Sequence, residues 1–242
     1  VTDDAVLGRA RLVWAALAGA PVTFASSGLD VAVSASSSLC PPGWVGVVAL
    51  GGAAVATAPD DGAAGLVRRA LGGLPVSALT DPVAVSGRLP VGAVLGPATL
   101  AFCDAARFRG AGAGAGAGAV AAVGAADDGV RGLLARVPAA DAGEAGLDEI
   151  TSLAFVVRAG PDVVAAAGYR VWEGAVAHVS VLTAPAERGR GLARLAAGAA
   201  VAAALEAGLL PQWRARPEAS RRVARALGFV ELGSQLSIRL VR

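Results

Sequence analysis

The 242 residues are 55% hydrophobic and 17% charged, with 21 basic side chains against 19 acidic ones and a formal charge of +2. Intrinsic disorder is excluded as the overall state, and so small a charge gives no argument for a nucleic-acid partner. Every basic residue is arginine, which excludes a P-loop lysine and a Schiff base, and one histidine with two distant cysteines falls short of a structural zinc site, so no metal is expected.

Val1-Thr2-Asp3-Asp4 lacks the basic, apolar, small order of a signal peptide, and the most apolar early run, Val45–Ala58, is too short to span a bilayer. The expectation is a cytoplasmic protein with free Cys40 and Cys103 and no membrane partner. A helix is predicted over Asp3–Leu17, followed by short strands around Val22–Phe24 and Val31–Val33. Val45–Ala58 reads as a buried hairpin turning at Gly51-Gly52. A helix over Asp61–Leu71 follows, then a Gly- and Pro-punctuated stretch ending in Gly96-Pro97. Cys40-Pro41-Pro42-Gly43-Trp44 reads as a rigid turn into the hairpin. No catalytic constellation is visible in this half.

Gly110–Gly118 alternates Gly and Ala, side chains too small to fix a strand register, and is read as a linker. It separates an N-terminal α/β domain over 1–109 from a second domain over 119–242. In the second domain Val120–Val123 is a short strand and Asp127–Val137 a helix capped by Asp127 or an adjacent residue. Ser152–Val157, Val163–Trp172 and Ala175–Thr183 are three strands in close succession. Gly191–Ala207 is a helix closed by Gly208, Leu209–Arg214 a strand, and Pro217–Leu227 a helix with proline in its first turn. Val230–Leu240 alternates, with Leu232, Leu236, Ile238 and Leu240 on one face and Glu231, Gln235 and Arg239 on the other. This order makes a mixed α/β (α+β) domain.

Chemistry concentrates in Arg188-Gly189-Arg190-Gly191-Leu192-Ala193, between a strand and a helix. Two glycines let successive N–H groups converge, the helix adds the positive end of its dipole, and the arginines add formal charge. A phosphorylated ligand suits such a loop; an ordinary turn with solvated arginines is the plainer reading.

The segment resembles the acyl-CoA loop of the GNAT superfamily of N-acetyltransferases, whose pattern R/Q-x-x-G-x-G/A is matched by Arg188, Gly191 and Ala193. Pro211-x-Trp213, Ser220 and Ala226-Leu227-Gly228-Phe229 are similar to the family's second motif block, and the resemblance runs over Val120–Arg242. It implies a mostly antiparallel sheet flanked by helices, with acetyl-CoA as cosubstrate and a small-molecule or peptide amine as acceptor. Main-chain groups near Val181, Leu182 and Thr183 would pair with the pantetheine arm. The Arg188–Ala193 loop would hold the pyrophosphate, with Ser220 close by. Two positions depart from the pattern: Pro217 stands where many members have Asn, and Ala224 where many have a tyrosine that serves as general acid.

Strand alternation over Ala175–Thr183 puts Val176, His178, Ser180 and Leu182 on one face and Ala177, Val179, Val181 and Thr183 on the other. The second face is nearly all apolar and is expected to be core, which turns His178 and Ser180 toward a helix or the cleft. His178 is the candidate base, because an ordinary imidazole titrates near neutrality; a structural histidine is the competing reading. Glu144, Asp148 and Glu149 precede the first meander strand and could attract a cationic amine, with Glu149 the alternative catalytic carboxylate; a solvated helix end is the commoner reading of such a cluster. Tyr169 is the sole phenol able to act as an acid, though packing is its commoner role. Arg214, Arg216, Arg221, Arg222 and Arg225 read as a solvated helix face or as partners of a 3′-phosphate. Two functions stand: an N-acetyltransferase, or a non-catalytic acyl-CoA-binding or regulatory protein. The N-terminal domain would be a diverged second copy of the fold or an acceptor-specificity element, and a homodimer is one assembly these features allow.

Overall fold

The computed structural model describes residues 3–25, 28–110 and 120–241. In chain order the first elements are α1 (Asp3–Leu17), β1 (Gly28–Val33), β2 (Val45–Leu50), β3 (Ala53–Ala58), α2 (Asp61–Leu71), α3 (Pro82–Ser86) and β4 (Val91–Phe102). Then come β5 (Ala121–Val123), α4 (Asp128–Ala135), α5 (Ala139–Ala145), β6 (Ala154–Ala159), β7 (Asp162–Trp172) and β8 (Val176–Thr183). The last are α6 (Leu192–Glu206), β9 (Leu210–Ala215), α7 (Glu218–Ala226) and β10 (Val230–Leu240). They form two compact units, one of Val1–Ala101 with Glu231–Arg242 and one of Phe102–Val230.

In the first unit β2 and β3 form the expected hairpin, with Val48 opposite Val55 and Gly51 and Gly52 both at positive φ in the turn. Both strands are buried along their whole length, so they read as continuous apolar runs with no alternation. β1 joins β3 in parallel and β10 joins β2 antiparallel, giving the order β1-β3-β2-β10-β4. Asp60 caps α2 by accepting from the Ala63 N–H at 2.8 Å, and Ala64, Val67 and Leu71 carry that helix onto the sheet. On α1, Val6, Ala10, Val13 and Trp14 are buried at helical spacing, and Arg11 donates to the Leu50 and Gly51 carbonyls at 2.9 and 2.8 Å.

Three expectations for this unit differ from the structure. Val22–Phe24 is irregular: the Thr23 N–H is taken by the Asp30 carboxylate and the Ala25 N–H by the Thr23 carbonyl, so local bonds use donors a ladder would need. Gly96-Pro97 does not end a loop but lies inside the twelve-residue strand β4. A Cβ at Gly96 would sit 2.9 Å from the Gln235 carbonyl oxygen, which explains the glycine. The face of β10 read as polar is buried at Gln235 and Ser237, and Gln235 Nε2 donates to the Leu39 carbonyl. The boundary 119–242 also put β10 with the second domain, whereas its ladder to β2 belongs to the first unit. The Gly/Ala segment read as a linker over 110–118 lies, beyond Gly110, outside the described residues.

The second unit is a five-stranded sheet in the order β9-β8-β7-β6-β5, with antiparallel neighbours from β5 to β8 and a parallel β8–β9 pair. The mixed, mostly antiparallel sheet flanked by helices is the expected fold class. Asp127 caps α4 through the Gly129 N–H at 2.8 Å, and Val130 and Leu133 of α4 meet Val156, Val163 and Leu182 in one apolar cluster. α6 buries Ala196, Ala197, Ala200, Val201 and Ala204, small side chains that let a helix lie close to a sheet. α5 supplies the solvated helix end expected around Glu144, although the sequence reading assigns it no helix range.

Gly228 tests the unit's tolerance. Its φ is +94° and an added Cβ would lie 2.0 Å from the Arg107 carbonyl oxygen. Gly228→Ala should cost about 3 kcal/mol or more, combining left-handed strain with a backbone clash, by urea denaturation. Gly189→Ala, also at positive φ but with open space around it, should cost about 1 kcal/mol.

Candidate active site

The site begins where two strands stop pairing. The parallel β8–β9 ladder spans three residue pairs, Val176–Leu210, Ala177–Pro211 and His178–Gln212. β8 then continues to Thr183 and β9 to Ala215. Pro211 brings no N–H to the ladder. A cleft of about 540 Å³ opens beyond the last pair, walled by Val179, Val181 and Thr183 on one side and by Trp213 and Ala215 on the other. Thr183 Oγ1 is buried and has no hydrogen-bond partner among the described residues.

The loop from Arg188 closes one end of this cleft, with Gly189 at φ +78° and Gly191 at φ +81°. No atom lies within 4 Å of where a Cβ on either glycine would stand. Gly191 is the N-cap of α6 and no side chain caps that end, so the first N–H groups of a fifteen-residue helix are left for water or an anion. Arg188 Nη2 donates to Asp141 Oδ2 at 2.6 Å, while Arg190 pairs with Glu187. Across the cleft Trp213 Nε1 donates to Ser220 Oγ at 2.9 Å, and its ring meets Phe229 edge-on at 5.5 Å. Val181, Leu182, Thr183, Arg188, Gly189, Gly191, Leu192, Ala193 and Ser220 are therefore brought together around one cavity. Arg190 is not among the residues that wall it.

The candidate catalytic residues lie elsewhere. The apolar face of β8, expected to be core, carries the wall of the cleft, and the face with His178 and Ser180 is turned to other partners. Ser180 Oγ donates to the Gly146 carbonyl at 3.1 Å. His178 Nδ1 is 2.7 Å from Gln212 Oε1, and its ring stacks on Trp172 with centroids 4.1 Å apart. With Gln212 as acceptor the imidazole carries its hydrogen on Nδ1 and keeps a lone pair on Nε2. Desolvation first, and then the nearby Arg214 charge, push its pKa down to about 3 against the opposing Gln212 hydrogen bond. An imidazole so placed is neutral at physiological pH and takes up a proton far less readily than the ordinary group the sequence reading assumed. Glu149 Oε2 pairs with Arg170 Nη1 at 2.8 Å, with both side chains at least half exposed. Tyr169 stands opposite Val179 in the β7–β8 ladder, half-buried, and does not wall the cleft.

Asp141 was absent from the sequence reading although it walls the cleft with Glu144. Ala139–Ala145 has the composition of a loop, yet Pro138 at the N-cap and Gly146 at φ +57° after its end were readable punctuation for a short helix. Among the described residues, no group of three or more His, Cys, Asp or Glu side chains could hold a metal, and no helix is long and apolar enough to cross a membrane.

Residues 151–234 match the family model described as GNAT acetyltransferase, a span from just before β6 to the first half of β10 that contains the split strands, the glycine loop and α7. That segment is similar to a GNAT acetyltransferase domain over about a third of the chain. Among solved structures the chain is similar to a GNAT-family protein from Novosphingobium aromaticivorans DSM 12444, with 23% identity, TM-score 0.47 and coverage of 61% of this chain and 65% of that one. A GCN5-related N-acetyltransferase from Kribbella flavida gives 22% identity, TM-score 0.47 and coverage of 60% and 58%. A GNAT-family acetyltransferase from Colwellia psychrerythraea gives 12%, 0.45, and 63% and 59%. The chain thus spans less than two thirds of each of these structures. No curated protein matches it.

His178 is the only histidine, so its titration can be followed without ambiguity. Its folded pKa lies below the ordinary 6.5. The unfolded chain therefore binds a proton that the folded one refuses, and stability present above pH 6.5 is lost as the pH falls toward 3. His178→Gln should flatten the acid limb of stability measured by urea denaturation between pH 7 and 4, and NMR should show no imidazole titration between pH 8 and 5.

Proposed function

We propose that the protein is an N-acetyltransferase that transfers the acetyl group of acetyl-CoA to a primary amine of a small molecule or peptide by direct attack on the thioester. One observation carries the reading: two parallel strands part after three pairs, and the cleft between them ends at a glycine loop and an uncapped helix N-terminus. The match of residues 151–234 to the GNAT acetyltransferase model supports acyl transfer in general; the acetyl donor and the amine acceptor are the finer part of the proposal.

The residues present fit such a cosubstrate. Gly189 and Gly191 leave space that a Cβ would take, and the buried Thr183 hydroxyl lacks a partner. Acetyl-CoA supplies an activated thioester. The β8 backbone beyond His178 offers N–H and C=O groups that β9 does not pair, suited to the amides of a pantetheine arm. Val179, Val181 and Trp213 give that arm an apolar wall and exclude water from it. Arg188 and the first turn of α6 supply charge and donors for a diphosphate. The wall holds the two reactants in reach, so positioning carries much of the rate enhancement. The incoming amine must be neutral to attack; His178, itself neutral, suits accepting a hydrogen bond better than retaining the proton, and water is the proton's destination. Free Cys40 and Cys103 fit the reducing cytoplasm as its setting.

A non-catalytic acyl-CoA-binding protein is the second reading, favoured by Ala224, which is 2% exposed and offers no proton to a leaving thiolate. Thiol release from acetyl-CoA with a panel of amines separates the two, since a binder releases none. Ala193→Glu tests the cleft itself. Glutamate in the first turn suits the helix dipole, so the fold should hold, with thermal stability within a few degrees of the parent. Its carboxylate occupies the anion position, and calorimetry should show CoA affinity reduced at least tenfold. Unchanged affinity would displace the cosubstrate from this cleft.

A further inference from the structure

α5 is a weak helix in an exposed place. It has seven residues with Gly143 near its centre, Pro138 at the N-cap supplies no side-chain cap, and none of its side chains is fully buried. Ala142 and Ala145 pack at the edge of the α4 cluster. Polar contacts hold it in place. At its end the Gly146 carbonyl accepts from Ser180 Oγ, and on its length Asp141 and Glu144 each take an arginine.

Those two arginines stand on opposite banks of the cleft. Arg188, bonded to Asp141 at 2.6 Å, follows β8; Arg216, whose Nε donates to Glu144 Oε1 at 3.0 Å, directly follows β9. Both carboxylates also wall the cleft. α5 therefore bridges two strands at the level where they no longer bridge each other. The four side chains are 36–51% exposed, and ion pairs of that exposure bias an equilibrium by about 1.5- to 5-fold each. Clasps this weak can be released by a better anion.

We infer that α5 is a strap across the cleft, closed in the free protein by the Asp141–Arg188 and Glu144–Arg216 pairs and opened when a diphosphate takes Arg188. The inference rests on the acyl-CoA reading of the cleft. A diphosphate offers the guanidinium more negative charge and more acceptor oxygens than one carboxylate does. Asp141, deprived of its partner, then faces the phosphates as a like charge, and the short helix has little burial to hold it down. The strap sets cosubstrate affinity below what the loop alone would give, and it uncovers this side of the cleft only after the cosubstrate is seated.

Hydrogen exchange followed by mass spectrometry, with CoA as the probe, tests the strap on the full chain. CoA should slow exchange over 188–194 and speed it over 138–146. Asp141→Asn should tighten CoA binding by about 2- to 5-fold in calorimetry. Glu144→Gln, which leaves the Arg188 clasp in place, should raise exchange over 138–146 in the free protein and tighten CoA by less. Protection of 188–194 with 138–146 unchanged or slowed overturns the strap and leaves the acyl-CoA reading standing; a tighter Asp141→Asn variant would then reflect local charge alone. No CoA binding by the parent or by either variant overturns both.

Discussion

The second unit depends on two strands being anchored to different partners. β8 is fixed along its whole length by an eight-pair antiparallel ladder, from Ala165–Thr183 to Trp172–Val176. β9 is held from elsewhere, by the Cys103 N–H on the Pro211 carbonyl and by Trp213, whose indole is bonded to Ser220 and packed on Phe229. Neither strand can follow the other once the twist of the sheet separates them, and Pro211 weakens the ladder between them. Pairing therefore stops at His178–Gln212, although both strands go on. Backbone groups left unpaired in an apolar interior are costly, so such a split persists only where water or a ligand can satisfy them. The open cleft is the consequence of that anchoring, and the glycine loop and α6 are placed at its mouth because β8 leads directly into them.

Much of this was legible in the chain. Helix and strand periods, the capping signal at Asp127 and the Gly51-Gly52 turn each carry their own local signal, and the elements follow. Strand partners carry no such signal. Nothing in Val230–Leu240 shows that it will lie beside β2, nearly two hundred residues away, with Gln235 buried against Leu39. The polar residues on that strand read as a solvated face because hydropathy records polarity and cannot record that a partner is waiting. Gly96-Pro97 misled for the related reason that turn chemistry is local, while the close approach of Gln235 is not.

The loop's place beside the cleft was readable, since two glycines ahead of a helix mark a strand–helix turn with positive φ. The two faces of β8 were not. An apolar cleft wall has the same composition as a core face, so Val179, Val181 and Thr183 read as interior. His178 looked like a candidate base because a lone polar ring in a strand draws attention, yet it is stacked on Trp172 and bonded to Gln212, while Ser180 on the same face is bonded to Gly146. A polar side chain whose bonds are satisfied inside the protein and one aimed at a substrate share one pattern in sequence. Only the partners tell them apart.

Charge at the cleft follows a single rule. The loop and its surroundings contain no lysine, and among the described residues six nearby arginines are already engaged: Arg188 with Asp141, Arg190 with Glu187, Arg216 with Glu144, and Arg221, Arg222 and Arg225 around Glu218. An anion entering here exchanges partners with carboxylates, and its gain is the difference between two ion pairs. Because exposed pairs contribute only about 0.2–1 kcal/mol each, the exchange favours any ligand that brings several acceptor oxygens at once. A single carboxylate gains almost nothing by replacing another, whereas a diphosphate can use the guanidinium fork and the α6 N–H groups together. Under the proposed reading, discrimination by number of charges would come as much from the acids that hold the arginines as from the arginines themselves.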